Sequence, residues 1–355
     1  MTGIMYLMMP LTSTLLTRYP RMRPYCGPIG LAITIGSLVL SSFATKVWQL
    51  VASQGVLCAI GSGLLFCPTT LYLDEWFVAK KGIAYGTMWT GKNIAGVVMP
   101  FIMSSLLDAF GPRTTLQAWA VTLFVLTAPS LYFLKPRIPV SQAFATTQRP
   151  ISWKFLKHST FWMLQLGVFF QSLGYFIPNT YLASYSHTIG LPAITGTVMI
   201  AIFNVASVPG GLLIGMLGDR VPATTNILIS SLGSTIAVFF FWGFSAHVAL
   251  LTIFTIVYGF FAGGFSSTWS GILQELKRED ESVDTGLVFG LLLGSRGLGN
   301  TISGPISGAL IQDAWITGGN SGYTTEYGPL ILFTGATALF GGWGWMWKSL
   351  RQVIN

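Results

Sequence analysis

The chain has 355 residues, 52% of them hydrophobic and only 8% charged, which excludes a soluble globule of ordinary composition. Its formal net charge of +8 would suit a nucleic-acid binder only if the cations clustered on one face, and they do not. They punctuate a series of apolar runs instead.

About eleven such runs are long enough to cross a hydrocarbon core of about 30 Å. They fall near residues 1–17, 25–45, 47–73, 82–107, 114–134, 159–185, 193–217, 224–244, 248–273, 285–311 and 328–347. The first ends in LTRYPRMRP, a short basic turn, and the third ends at Asp74, Glu75 and Trp76, which mark an interface. The fourth carries Gly82, Gly86, Gly91 and Gly96 around Lys92, small residues that let helices approach closely. After the fifth run, residues 135–157 hold Pro136, Pro139, Pro150 and five cations, so they read as a linker between two bundles. The bundles are then 1–134, with five spans, and 158–347, with six, followed by a tail at 348–355.

The second bundle opens on FWMLQLGVFFQSLGYFIPNTYLASY, whose Gln165, Gln171 and Asn179 are too polar to face lipid. The seventh run holds Asn204 and closes on Gly215-x-x-x-Asp219-Arg220; the first closes in the same way on Ser13-x-x-x-Thr17-Arg18. The last run ends in Trp343, Trp345 and Trp347 before Lys348, an interfacial belt.

With alternating spans, Arg18, Arg21, Arg23, Lys80, Lys81, Lys135, Arg137, Arg149, Lys154, Lys157, Arg220, Lys277, Arg278, Lys348 and Arg351 fall on one side, and only Lys46 and Arg113 on the other. That bias makes the crowded side, with the C-terminus, cytosolic and explains the charge without nucleic acid. A repeat runs underneath. Shifted by 204 residues, Gly82 meets Gly286, Gly86 meets Gly290, Lys92 meets Arg296, Ala95 meets Gly299 and Leu106 meets Leu310. Duplicated spans, each holding a cation, are the mark of a transporter built from repeated halves.

At WFVAKKGIAYGTMWTGKNIAG the chain resembles the monocarboxylate transporter family of the major facilitator superfamily, in its fungal form. Trp76-Phe77, Lys80-Lys81, Ile83-Ala84, Gly86 and Gly91 match its aromatic, basic and Ala-Gly pattern. SFATKVWQLVASQGVLCAIGSGLLFCP, GYFIPNTYLASY and RGLGNTISGPISGAL are also similar to it. The resemblance implies an all-α integral membrane fold of two six-helix bundles with inverted repeats, moving by alternating access. It also implies twelve spans, so this chain reads as lacking the family's first helix. Gly210-Gly211 stands where the family carries an arginine, so the family's own substrate and proton site is not transferred.

Lys92 and Arg296 lie about ten residues into their spans, roughly 15 Å from the cytosolic end. A lone cation there costs about 3 kcal/mol, and no Asp or Glu lies at that depth in any span. Either both line a wet cavity and bind an anionic group, or they bind helix carbonyls and water. Tyr85, Met88 and Trp89 stand on the face of Lys92 as an apolar wall or as packing. Asn204, Asn300, Asn179 and Tyr175 are candidates to hydrogen-bond a substrate, and Gly215, Asp219 and Arg220 to hold a gating loop. Cys26, Cys58 and Cys67 lack metal spacing, so no cofactor or metal is expected; no nucleophile-base pair points to an enzyme.

The expected function is thus a carrier of a small organic anion, a monocarboxylate by resemblance, proton coupling left open, in the plasma membrane before an organelle. The alternative is a non-transporting receptor or remnant, or a truncated gene. The sequence sets no oligomeric state.

Overall fold

The computed structural model describes residues 1–77, 80–137, 153–281, 283–312 and 321–354. Among them there is no strand; the apolar runs are helices: α1 (Thr2–Leu7), α2 (Met9–Arg18), α3 (Arg23–Ser42), α4 (Val47–Trp76), α5 (Lys81–Phe133), α6 (Ser159–Thr188), α7 (Ala193–Gly218), α8 (Ala223–Trp242), α9 (Val248–Glu279), α10 (Thr285–Gln312), α11 (Gly328–Gly341) and α12 (Trp343–Ile354). The first expected span is α1 with α2, and the last is α11 with α12. The fourth and fifth are the two arms of α5, which turns at Gly111 with φ 72°. A glycine stands there because that backbone region crowds any Cβ. All eleven expected spans are therefore helical.

Two compact units interleave along the chain. The first comprises Met1–Ala79, Ile102–Trp153 and Ser282–Leu298; the second comprises Lys80–Phe101, Lys154–Glu281 and Gly299–Asn355. The first arm of α5 thus packs with residues that follow the expected linker, and the start of α10 with residues that precede it. Most of that linker, 138–152, lies outside the described residues; Lys154–Lys157 is a short 3-10 turn.

In the first unit α3 lies against α4, where Ser41 Oγ donates to Ser53 Oγ at 2.8 Å. One end of the unit is knotted around Glu75. Arg23 Nη1 reaches its carboxylate at 2.6 Å, Arg137 Nη1 donates to its carbonyl at 3.1 Å, and Trp76 Nε1 donates to the Lys135 carbonyl at 3.0 Å. Residues that span alternation assigns to one side are thus neighbours. Arg113, assigned to the other, lies 4.6 Å over the Phe43 ring at the far end of α3.

The core of the second unit is aromatic. Trp242, Phe254 and Tyr258 stack at 5.1 and 5.4 Å, and Tyr185 meets Trp242 and Tyr327 edge-on at 6.0 and 5.5 Å. The Tyr185 hydroxyl donates to the Ser245 carbonyl at 2.6 Å, so its polar tip is satisfied inside the cluster.

Candidate functional site

Lys92 is eleven residues into α5, about 16 Å along the helix axis. Its ammonium sits within reach of three aromatic faces: Trp89 at 5.6 Å, Phe176 at 5.6 Å and Tyr175 at 5.8 Å. Trp89 is one turn back on the same helix face. Tyr175 and Phe176 are presented by a break in α6, where Pro178 removes a backbone donor and the helix restarts with Thr180 N–H bonding the Phe176 carbonyl at 3.0 Å. The two rings meet edge-on at 4.7 Å, and Tyr175 is tied to the core through its carbonyl, which accepts from the Tyr258 hydroxyl at 3.3 Å.

This cage answers the missing carboxylate. Each ring face contributes about 0.5–2 kcal/mol to a partly desolvated ammonium, so three together offset a burial cost of about 3 kcal/mol. Trp89 and Tyr175 are each 5% exposed, whereas the Lys92 side chain remains accessible. The rings are fixed while the ammonium, on its flexible stem, is free to turn toward an anion. Tyr85, 1% exposed, packs inside the unit one turn further back and forms no accessible wall.

The other polar candidates divide. Asn204 is committed to backbone: its Nδ2 donates to the Ile200 carbonyl at 2.8 Å and to the Gly96 carbonyl at 3.4 Å, binding α7 to α5. Asn179 and Asn300 are different, because Oδ1 of Asn179 and both amide atoms of Asn300 are buried without a partner. They flank one seam, where α10 runs beside α6 from Gly299 at Ser172 to Ser307, whose hydroxyl is 3.1 Å from that of Tyr181. Gln171, a turn before Tyr175, adds a buried Oε1 in the same condition.

Arg296 belongs to the first unit, where it is 1% exposed. The expectation that both cations line an open cavity therefore does not describe Arg296 in this conformation. Its span is pressed onto α1 and α2: a Cβ on Gly297 would stand 2.5 Å from the Leu7 nitrogen, and one on Gly290 would fall on the Ser13 hydroxyl.

The Gly215–Asp219 motif has a clear partner. The Asp219 carboxylate accepts the Gly82 N–H at 3.0 Å and the Gln274 amide at 3.3 Å. At the C-terminus of α7 an anion is disfavoured by its own helix; at the N-terminus of α5 it is favoured. Asp219 thus caps the helix that carries Lys92, while Gly215 packs its Cα on the Gly82 carbonyl. The Arg220 side chain beside it is exposed. Replacing Asp219 with alanine should weaken this docking by about 1–2 kcal/mol, seen as faster amide hydrogen exchange over residues 82–86. Unchanged exchange there would remove the cap from the account.

The repeat fails at this point. Thr17 stands where Asp219 stands, and its hydroxyl is buried without a partner. α10 is capped locally instead, Asp284 accepting the Leu287 N–H at 3.0 Å, while the Thr285 hydroxyl donates to the Asp74 carboxylate. Sequence reading missed Phe176 as a neighbour of the site, and singled out Gln171 only as too polar to face lipid. The one signal for Phe176 was its place two residues before a proline.

A family model described as Major Facilitator Superfamily matches residues 2–283. Similar curated proteins include an MFS-type transporter, pynF, of Aspergillus niger, 27% identical over 80% of this chain and 64% of its own length. Others are the MFS transporter asaE of Aspergillus flavus, at 26% over 86% and 66%, and the aspyridones efflux protein apdF of Emericella nidulans, at 26% over 87% and 60%. The chain spans just under two thirds of the length of these relatives. Among solved structures, the human organic anion transporter MFSD10 superposes with a TM-score of 0.67, covering 97% of this chain and 81% of its own at 13% identity, a likeness of fold.

Proposed function

This chain belongs to the Major Facilitator Superfamily, and on that premise we propose that it is a secondary carrier of a small organic anion, a monocarboxylate, held at Lys92. The supporting observation is the ammonium within three aromatic faces at 5.6–5.8 Å, accessible and without a carboxylate at its depth among the described residues. In the empty carrier the rings stabilise the charge. An arriving carboxylate gives Lys92 a charge-assisted hydrogen bond, stronger than a neutral one, and draws it off the rings. The unpartnered amides of Asn179, Asn300 and Gln171 supply donors and acceptors for the remaining polar atoms of the cargo. Arg296, enclosed within the first unit by the packing of its span onto α1 and α2, is the matching cation of the other copy of the repeat.

No Asp or Glu lies in mid-span among the described residues, so a coupled proton travels on the cargo acid rather than on a side chain. The membrane is the plasma membrane, with the C-terminus in the cytosol by the charge bias. Purified protein in proteoliposomes should take up labelled monocarboxylates saturably, faster at lower outside pH. A flat response across a carboxylate panel in both vesicle orientations would overturn this reading.

A second reading, outward movement of a larger acid, is favoured by the aromatic lining and by a relative named for efflux of aspyridones. It predicts that conjugated acids compete better than short aliphatic ones, and only when presented on the cytosolic face.

A further inference from the structure

Lys92 fills its aromatic cage loosely. An atom in direct contact with a ring stands roughly 3.5–4.0 Å from it, yet the ammonium lies 5.6 Å from the centres of the Trp89 and Phe176 rings and 5.8 Å from that of Tyr175. The space toward each ring is close to one methyl group. A methyl carbon in contact with a ring, on a bond of about 1.5 Å, sets its nitrogen about 5.0–5.5 Å from that ring. The three faces are therefore spaced for a trimethylammonium head rather than for the primary ammonium tethered among them. The chemistry of the lining agrees. No Asp or Glu lies in mid-span among the described residues, so ring faces rather than a carboxylate hold a cation here. That setting favours a quaternary cation, which gives up little hydration, over a primary one, which is strongly hydrated.

The Lys92 side chain is exposed and its four-carbon stem is flexible, so the space its ammonium occupies can be vacated without moving a helix. A cargo carboxylate that pairs with Lys92 draws it off the rings and leaves three electron-rich faces, which a plain aliphatic acid covers only with hydrocarbon. A cargo that carries its own cation beside the carboxylate restores the cation–π contacts. Resting on the reading of Lys92 as the carboxylate anchor, we propose that the cargo is a betaine, a carboxylate with a quaternary ammonium group a few bonds away. Its anion lies on Lys92 and its cation in the cage of Trp89, Tyr175 and Phe176. Until it arrives, the lysine is a tethered stand-in for the cargo's own cation.

Two isosteres test this, glycine betaine and 3,3-dimethylbutanoate, which share shape and carboxylate and differ in one atom, a cationic nitrogen against a carbon. In titration calorimetry of the purified full chain, glycine betaine should bind about tenfold or more tighter than its neutral-headed isostere. Tetramethylammonium, which lacks the carboxylate, should bind more weakly than glycine betaine. It should gain about tenfold or more in Lys92→Ala, where the tethered competitor is gone. Phe176→Leu removes one ring face but keeps an apolar side chain, so it should shrink the preference for glycine betaine and leave the affinity for 3,3-dimethylbutanoate unchanged. Equal or tighter binding of 3,3-dimethylbutanoate, tetramethylammonium binding as tightly as glycine betaine or indifferent to Lys92→Ala, or an undiminished preference in Phe176→Leu would each overturn the betaine proposal. So would no binding of either isostere. Saturable uptake of other labelled monocarboxylates in the same preparation would then leave the anion-carrier reading standing, whereas flat uptake across the carboxylate panel would overturn both.

Discussion

Lys92→Met should lower the proposed saturable carboxylate uptake by about ten- to a hundredfold, the worth of one charge-assisted hydrogen bond, and should leave the melting temperature of the purified protein unchanged or raised. The separation of the two readouts is what matters. A cation that only held helices together would take stability with it when removed. Here the ammonium rests on Trp89, Tyr175 and Phe176 rather than on a carboxylate, so methionine keeps the apolar contact and abolishes a desolvation cost. Lys92→Arg should restore part of the uptake. Trp89→Leu should destabilise the protein more in the presence of Lys92 than in its absence, because the lost ring face is worth most to a charge. Uptake that survives Lys92→Met would end the anion-carrier reading.

Gly86→Val should remove folded, monodisperse protein altogether. A Cβ at residue 86 would lie 2.7 Å from the Gly211 carbonyl oxygen and 3.3 Å from the Leu212 Cα, and both are helix backbone that cannot rotate away. The crossing of α5 over α7 must then widen along its whole length, a cost beyond the about 1–3 kcal/mol of ordinary overpacking. Gly91→Ala, in the same helix with nothing within 4 Å of its added carbon, should be neutral or stabilising by about 0.5–1 kcal/mol. Size-exclusion profiles and melting curves of the two variants distinguish close approach from helix propensity. If both behaved alike, the tight crossing would not be the reason for the glycine.

The helices were readable because burial in hydrocarbon demands long apolar runs and little else, and each of the eleven expected spans is helical. The 204-residue repeat was readable too, since Gly86 and Gly290 both stand where a helix from elsewhere in the chain presses against the backbone. The cage around Lys92 was not. It joins α5 to a break in α6 more than eighty residues away, and no local periodicity relates Trp89 to Phe176. The different settings of the two cations were equally hidden, because accessible Lys92 and enclosed Arg296 occupy matching positions in matching spans. Sequence carries the match and tertiary packing carries the difference. Asn204 illustrates the same limit: an amide in a span looks available until the Ile200 and Gly96 carbonyls claim it.

Asp219 has no counterpart in the other copy of the repeat, where Thr17 occupies the matching place. A fixed charge facing a helix end is weakened by dissolved ions, whereas glycine backbones in van der Waals contact are indifferent to them. Raising the salt concentration should therefore weaken the Asp219 cap on Gly82 while the glycine contacts of the same crossing stay in place. The two copies of the repeat thus secure matching helix starts by different means, one through Asp219 at the end of α7 and the other through its own Asp284.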